Sequence, residues 1–190
     1  MLSPQDRVSR ASGGSVRIGR ELGAGGQGSV YEGTTDDGTK VAVKWYNSTF
    51  QTPALRASIS ELVAQKAPSP RFLWPDDIVT SGSDFGYIMR LRPPEYANLT
   101  AILKRRVSLT FRELVTAASQ TVAAFKDLQA TGLFYRDISD GNLFVNPRTG
   151  DVLICDNDNV GSSRSPDDRA RHGPFHGPGD RSRGKSSRPR

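Results

Sequence analysis

Cysteine is nearly absent: Cys155 is the only one in 190 residues. That excludes a disulfide framework and a Cys-rich zinc site, and a lone thiol suits a reducing, cytoplasmic setting. Long apolar runs are missing too. Mean hydropathy is −0.51, and no uncharged stretch is long enough to span a membrane. The opening MLSPQDRVSR has no apolar core behind its basic residues, so a secretory signal is not expected. Apolar side chains also run out beyond Val160, where only Ala170, Phe175 and prolines stand among Gly, Ser and Arg. Such a stretch cannot offset its own ordering entropy, so residues 161–190 are expected to form a disordered Arg/Gly/Ser/Pro-rich tail.

The charge follows the same division. The chain carries +6, but residues 161–190 hold eight Lys/Arg against three Asp, whereas residues 1–160 hold 18 basic and 17 acidic residues. The basic pI therefore belongs to the tail. With no aromatic interleaved beyond Phe175, the tail is poorly suited to stacking on bases, and no specific nucleic-acid partner is expected. Any such binding would rest on counterion release and weaken steeply with salt.

What remains is enough for one globular domain. Residues 16–46 read as three strands. Val16, Ile18 and Leu22 precede the cluster Gly23-Ala24-Gly25-Gly26-Gln27-Gly28, Val30-Tyr31 follows it, and Val41–Trp45 comes after an Asp36-Asp37-Gly38 turn. Thr52-Pro53 is a helix start, and Leu55, Ile59, Leu62 and Val63 recur at helical spacing over Pro53–Gln65. Two strands follow, around Ile78–Ser81 and Gly86–Leu91. Thr110 and Glu113 form a capping box for a helix over Phe111–Thr131, with Gly132 at its C-terminus. Leu143–Val145 and Val152–Ile154 flank an Asn146–Gly150 turn as a second hairpin.

Three features carry chemistry. Gly23, Gly25 and Gly28 spell G-x-G-x-x-G, which suits either a bulged hairpin or a loop laying amides over phosphates. A dinucleotide fingerprint is disfavoured because Val30-Tyr31 continues as strand instead of opening a helix. Lys44, inside V-A-V-K, either faces solvent or points inward and needs a partner. Glu61, the only acidic residue of the following helix, is the natural choice. Asp137, Asn142 and Asp156 bring two carboxylates and an amide to the ends of one hairpin. They are either turn-formers or oxygen ligands suited to Mg²⁺ carried by phosphates.

In this order, E-L-G-A-G-G-Q-G-S-V-Y-E-G, V-A-V-K, a helix with Glu61, a hinge, a capped helix, R-D-I-S-D-G-N and an Asp after a buried strand, the chain resembles the eukaryotic-type serine/threonine protein kinases, including bacterial ones, over about residues 14–160. The resemblance implies an α+β, protein kinase-like fold: a five-stranded antiparallel N-lobe with one helix over residues 14–92, and an incomplete helical C-lobe over 93–160. Residues 1–13 are then an N-terminal extension. It further implies ATP and Mg²⁺ as cofactors and a protein substrate. Leu22, Gly23, Gly25, Gly28, Val30 and Ala42 would enclose ATP, with Met89 as gatekeeper and the Arg90-Leu91-Arg92 backbone on adenine. Lys44, paired with Glu61, would contact the phosphates. Asp137 would be the catalytic base, and Asn142 and Asp156 would hold the metal.

The chain departs from the family pattern in several places. Tyr135 replaces the usual His, and Ser139 replaces a lysine whose charge would steady the transferred group. Asn157-Asp158 replaces the Phe-Gly of the D-F-G triplet, and Gln27 replaces the loop-tip aromatic. The resemblance ends after the DFG-like Asp156. With suitable codons, Arg171–Asp180 read one base further on spells G-T-A-R-F-M-A-P-E-I, similar to the end of a kinase activation segment. The tail is therefore expected to be a frameshift product. Lacking the activation segment, the chain is expected to transfer phosphate poorly. The alternative is a non-catalytic, pseudokinase-like nucleotide-binding remnant.

Overall fold

The N-terminal half folds into a closed barrel of six antiparallel strands. The computed structural model describes residues 2–162. The strands are β1 (Arg7–Arg10), β2 (Ser15–Ala24), β3 (Gly28–Thr35), β4 (Lys40–Tyr46), β5 (Asp77–Ser81) and β6 (Asp84–Arg90), in the order β1-β2-β3-β4-β6-β5. The sheet thus has six strands, where five were expected. The additional strand, β1, lies in the stretch set apart as an N-terminal extension. It pairs with β2 on one side and β5 on the other, and Val8 is fully buried. Its sequence, R-V-S-R, offers a single apolar residue, too few for an alternating pattern. Ion pairing helps hold the closure: Arg10 Nε lies 3.1 Å from the buried Asp77 carboxylate, which also accepts from the Ser12 hydroxyl at 2.5 Å.

Strand β4 separates two cores. Val41, Val43 and Trp45 point into the barrel with Val16, Ile18 and Val79. Ala42 and Tyr46, on the other face, join a second core with Ile59, Leu62, Tyr87 and Met89. Side chains alternate along a strand, so Lys44 shares the face of Ala42 and Tyr46. Both faces being covered, Lys44 is itself buried, at 6% exposure.

Helix α1 spans Pro53–Gln65, as its sequence indicates. Thr52 caps it by accepting from the Leu55 amide at 3.2 Å, and Ile59 and Leu62 are its buried residues. Trp74 fixes the helix to the barrel by donating its indole N–H to the Leu62 carbonyl at 2.8 Å.

The second half holds β7 (Ala97–Asn98), α2 (Leu99–Leu103), α3 (Phe111–Ala130), β8 (Leu133–Tyr135), β9 (Leu143–Val145), β10 (Val152–Ile154) and β11 (Val160–Ser162). The capping box at Thr110 and Glu113 is formed, and Gly132 after α3 has φ +80°. Helix α3 buries Ala117, Ala124 and Leu128, while Phe111 (82% exposed) and Val122 (69%) face outward. Strands β9 and β10 form the expected hairpin, extended by β7, and β11 pairs with β8. Regular structure therefore continues to Ser162, slightly into the stretch expected to be irregular. The expectations for the remaining tail and its frameshift origin lie outside the described residues. No helix among the described residues is long and apolar enough to cross a membrane.

Candidate active site

Strand register assembles the roof of the site. Val30 on β3, Lys44 on β4 and Tyr87 on β6 are direct cross-strand partners, so all three share one face. Beneath them lies a cavity of about 650 Å³, within the size range of ligand pockets, lined also by the glycine loop, Met89, Asp137, Asn142 and Asp156. The glycines divide by role. A Cβ on Gly28 would sit 2.0 Å from the Trp45 carbonyl oxygen, so strand packing alone demands glycine there. A Cβ on Gly23, Gly25 or Gly26 would meet nothing within 4 Å. Their bareness instead leaves open space along the cavity.

The floor comes from the connection after β8 and from the β9–β10 hairpin. The Asn142 side-chain amide donates to the Asp137 backbone carbonyl at 3.0 Å and to its carboxylate at 3.2 Å. The Asn142 carbonyl in turn accepts from the Cys155 amide at 3.0 Å. This holds Asp137, Asn142 and the approach to Asp156 together. Tyr135, in place of the usual His, donates its hydroxyl to the Cys155 carbonyl. Asp156 has φ +59° and begins a 3-10 turn over Asn157–Asn159. Asn157 is fully buried and ties that turn down, donating to the carbonyls of Leu73 (2.8 Å) and Ile154 (3.0 Å).

Lys44 is the hub. Its ammonium pairs with Asp156, contacts both oxygens of Asp158 (2.9 and 2.8 Å), and donates to the Gln27 side-chain carbonyl at 3.2 Å. Gln27 donates to Asn159 at 3.3 Å, and Asn159 donates to Asp156 at 2.9 Å, closing a ring from loop tip to floor. Burial alone would lower the Lys44 pKa, but the charges of Asp158 and Asp156 outweigh it and hold the group above its ordinary value. Burial raises the Asp156 carboxyl above its ordinary value, against the opposing pull of Lys44. Burial also raises the Tyr46 and Tyr87 hydroxyls, with Asp158 adding to the effect.

The expected pairing of Lys44 with Glu61 is not formed. Glu61 is exposed on α1. At about 100° per residue it falls nearly opposite Ile59, well off the apolar stripe that faces the barrel. Lys44 takes Asp158 and Asp156 instead. Of the residues expected around adenine, Val30 and Met89 line the cavity, whereas Ala42, Arg90, Leu91 and Arg92 are not among its lining residues. Leu22 is 41% exposed, and the Arg92 guanidinium stacks 4.5 Å over the Phe144 ring.

Residues 16–169 match the protein kinase domain family. The chain belongs to that family. A serine/threonine-protein kinase, PknA of Mycobacterium tuberculosis, is 30% identical over 168 residues, covering 82% of this chain but 37% of the relative. Tyrosine-protein kinase SRK2 of Spongilla lacustris is 27% identical over 141 residues, covering 74% of this chain and again 37% of the relative. The chain thus spans little more than a third of these curated relatives. Among solved structures, the Mycobacterium tuberculosis PknI kinase domain superimposes with a TM-score of 0.62 at 18% identity, covering 85% of this chain and 64% of that one. A double mutant of the same domain gives 0.65 at 17% identity, covering 90% and 70%. This agreement is one of fold: a protein kinase-like α+β arrangement in which the described C-lobe contains few helices.

The cavity has the room and the donor types that a magnesium nucleotide would need. Bare glycines flank the cavity, a buried ammonium roofs it, and carboxylate and amide oxygens, the ligand types Mg²⁺ prefers, stand on its floor. Asp158 is the residue that sequence reasoning missed. Its signal was present: a second carboxylate two positions after Asp156, where the family's glycine is lost.

Proposed function

We propose that this chain binds Mg-ATP and acts as a serine/threonine-type protein kinase, directing the terminal phosphoryl group to a protein hydroxyl. The observation that carries this reading is convergence: Lys44, Asp137, Asn142 and Asp156, from separate segments, line one cavity under the glycine loop. Bound Mg-ATP supplies the transferable group and the metal that offsets its charge. Lys44 holds the phosphates by charge-assisted hydrogen bonds. Asn142 and Asp156 hold the metal through oxygen atoms. Asp137, exposed at the cavity mouth and steadied by the Asn142 amide, orients the incoming hydroxyl and takes its proton. Val30 and Met89 give the nucleoside an apolar seat.

The test is phosphate transfer from radiolabelled ATP to a serine/threonine-containing protein such as casein, with Asp137→Asn as control. Transfer should fall by about 10²–10⁴ in the variant. Transfer that ignores Asp137 would remove it from this role. A second reading, nucleotide binding without transfer, is favoured by Ser139 in place of a cationic residue and by Phe111 and Val122 of α3, which are exposed among the described residues. Mg-ATP binding with no Asp137-dependent transfer would establish that reading instead.

A further inference from the structure

We propose that Asp158 is the positioning residue for Lys44, doing from the floor of the site what a carboxylate on α1 was expected to do. The inference rests on the nucleotide-binding reading above.

The two carboxylates around Lys44 are differently placed. Asp156 lines the cavity, and its side chain is 28% exposed. Asp158 does not line the cavity, and its side chain is 2% exposed. It therefore has no open path to a nucleotide or metal, and its interactions all run to the protein. Both its oxygens contact the Lys44 ammonium, Oδ2 accepts from the Tyr46 hydroxyl at 2.6 Å, and Oδ1 lies 3.4 Å from the Tyr87 hydroxyl. Tyr46 stands two residues along β4 from Lys44, and Tyr87 is the direct cross-strand partner of Lys44 on β6. The carboxylate is thus locked by the same strands that carry the lysine. Two buried donors and a rigid sheet fix one position for the ammonium, and a charge held in advance binds phosphate without the cost of ordering it. Asp156, which also pairs with Lys44, is the carboxylate that faces the cavity.

The experiment measures Mg-ATP and adenosine affinities of the intact 190-residue chain by calorimetry. Their ratio isolates the phosphate contribution. Lys44→Met should abolish most of the preference for ATP. Asp158→Asn should reduce it by about tenfold, the scale of a hydrogen bond to a charged group, while leaving adenosine affinity unchanged. In the Lys44→Met background, Asp158→Asn should cause no further loss, and Glu61→Gln should leave the ratio as in wild type. Should Asp158→Asn not fold, Tyr46→Phe carries the test: it removes one donor to Asp158 and should lower the ratio by about threefold, only when Lys44 is present. An undiminished ratio in Asp158→Asn beside a collapsed one in Lys44→Met overturns the inference alone. So does a raised ratio, which would make Asp158 a restraint on Lys44. No preference for ATP in the wild-type chain overturns both this inference and the reading beneath it.

Discussion

Cys155 sits between the Asn142 tether and Asp156, lining the cavity yet mostly withdrawn from water. Burial pushes its thiol up to about 12, with the Asp156 charge adding to the effect. The reactive species is the thiolate, so at pH 8 this side chain should carry about a thousandfold less of it than an ordinary cysteine. Iodoacetamide should label the native protein very slowly and the urea-unfolded protein at an ordinary rate. Rapid labelling of the native protein at pH 8 would contradict this picture of the floor. The partner of Lys44 is likewise decided by the placement of single residues. A chain position says which helix an acid lies on, but its angular phase decides what it can reach. Glu61 fails on phase, whereas Asp158 succeeds through a 3-10 turn that no periodicity announces.

At the scale of elements, the glycine loop makes two separable predictions. Gly28 faces Tyr46 across the β3–β4 ladder, and a methyl group there collides with backbone that cannot step aside. Gly28→Ala should cost about 1–3 kcal/mol, read as a lower urea midpoint. Gly25→Ala projects into open space, so its melting temperature should hold while Mg-ATP affinity falls. If both variants melt alike, the division of roles is wrong. Elements with strong local signals were legible from sequence: α1 with its Thr52 cap, α3 with its capping box, and the β9–β10 hairpin around its turn. Strand β1 was not, because one buried valine among polar residues carries no period. The pairing of β11 with β8 depends on how the chain returns after Asn159, which only tertiary packing determines.

Across the whole molecule, acid should loosen the fold in a definite direction. Hydrogen bonds from Lys40 and Arg20 hold Glu32 below its ordinary value, those from Ser15 lower Asp36, and those from Gln120 and Thr149 lower Asp151. A carboxylate with a depressed folded pKa contributes stability above its unfolded value. That contribution disappears as pH falls through the folded value. The urea midpoint should therefore drop as pH falls below about 4.5, and Asp36→Asn should make the drop shallower. Asp156 has the opposite sign, since its pKa is raised: protonating it relieves a cost, and Asp156→Asn should remove that relief while leaving the acid loss in place. A midpoint independent of pH between 7 and 3 would count against these pairings.

The closure of the barrel by β1 bears on where the domain begins. The family match starts at residue 16, inside β2, after the strand that joins β2 to β5. A protein cut at that point would keep every residue assigned to nucleotide chemistry. It would also expose two rows of unpaired backbone donors and acceptors, each a template for another chain. Sedimentation velocity should find the shortened protein self-associating through those edges, and the 190-residue chain not doing so by that route. The boundary drawn by family likeness and the boundary drawn by hydrogen bonding are not the same place.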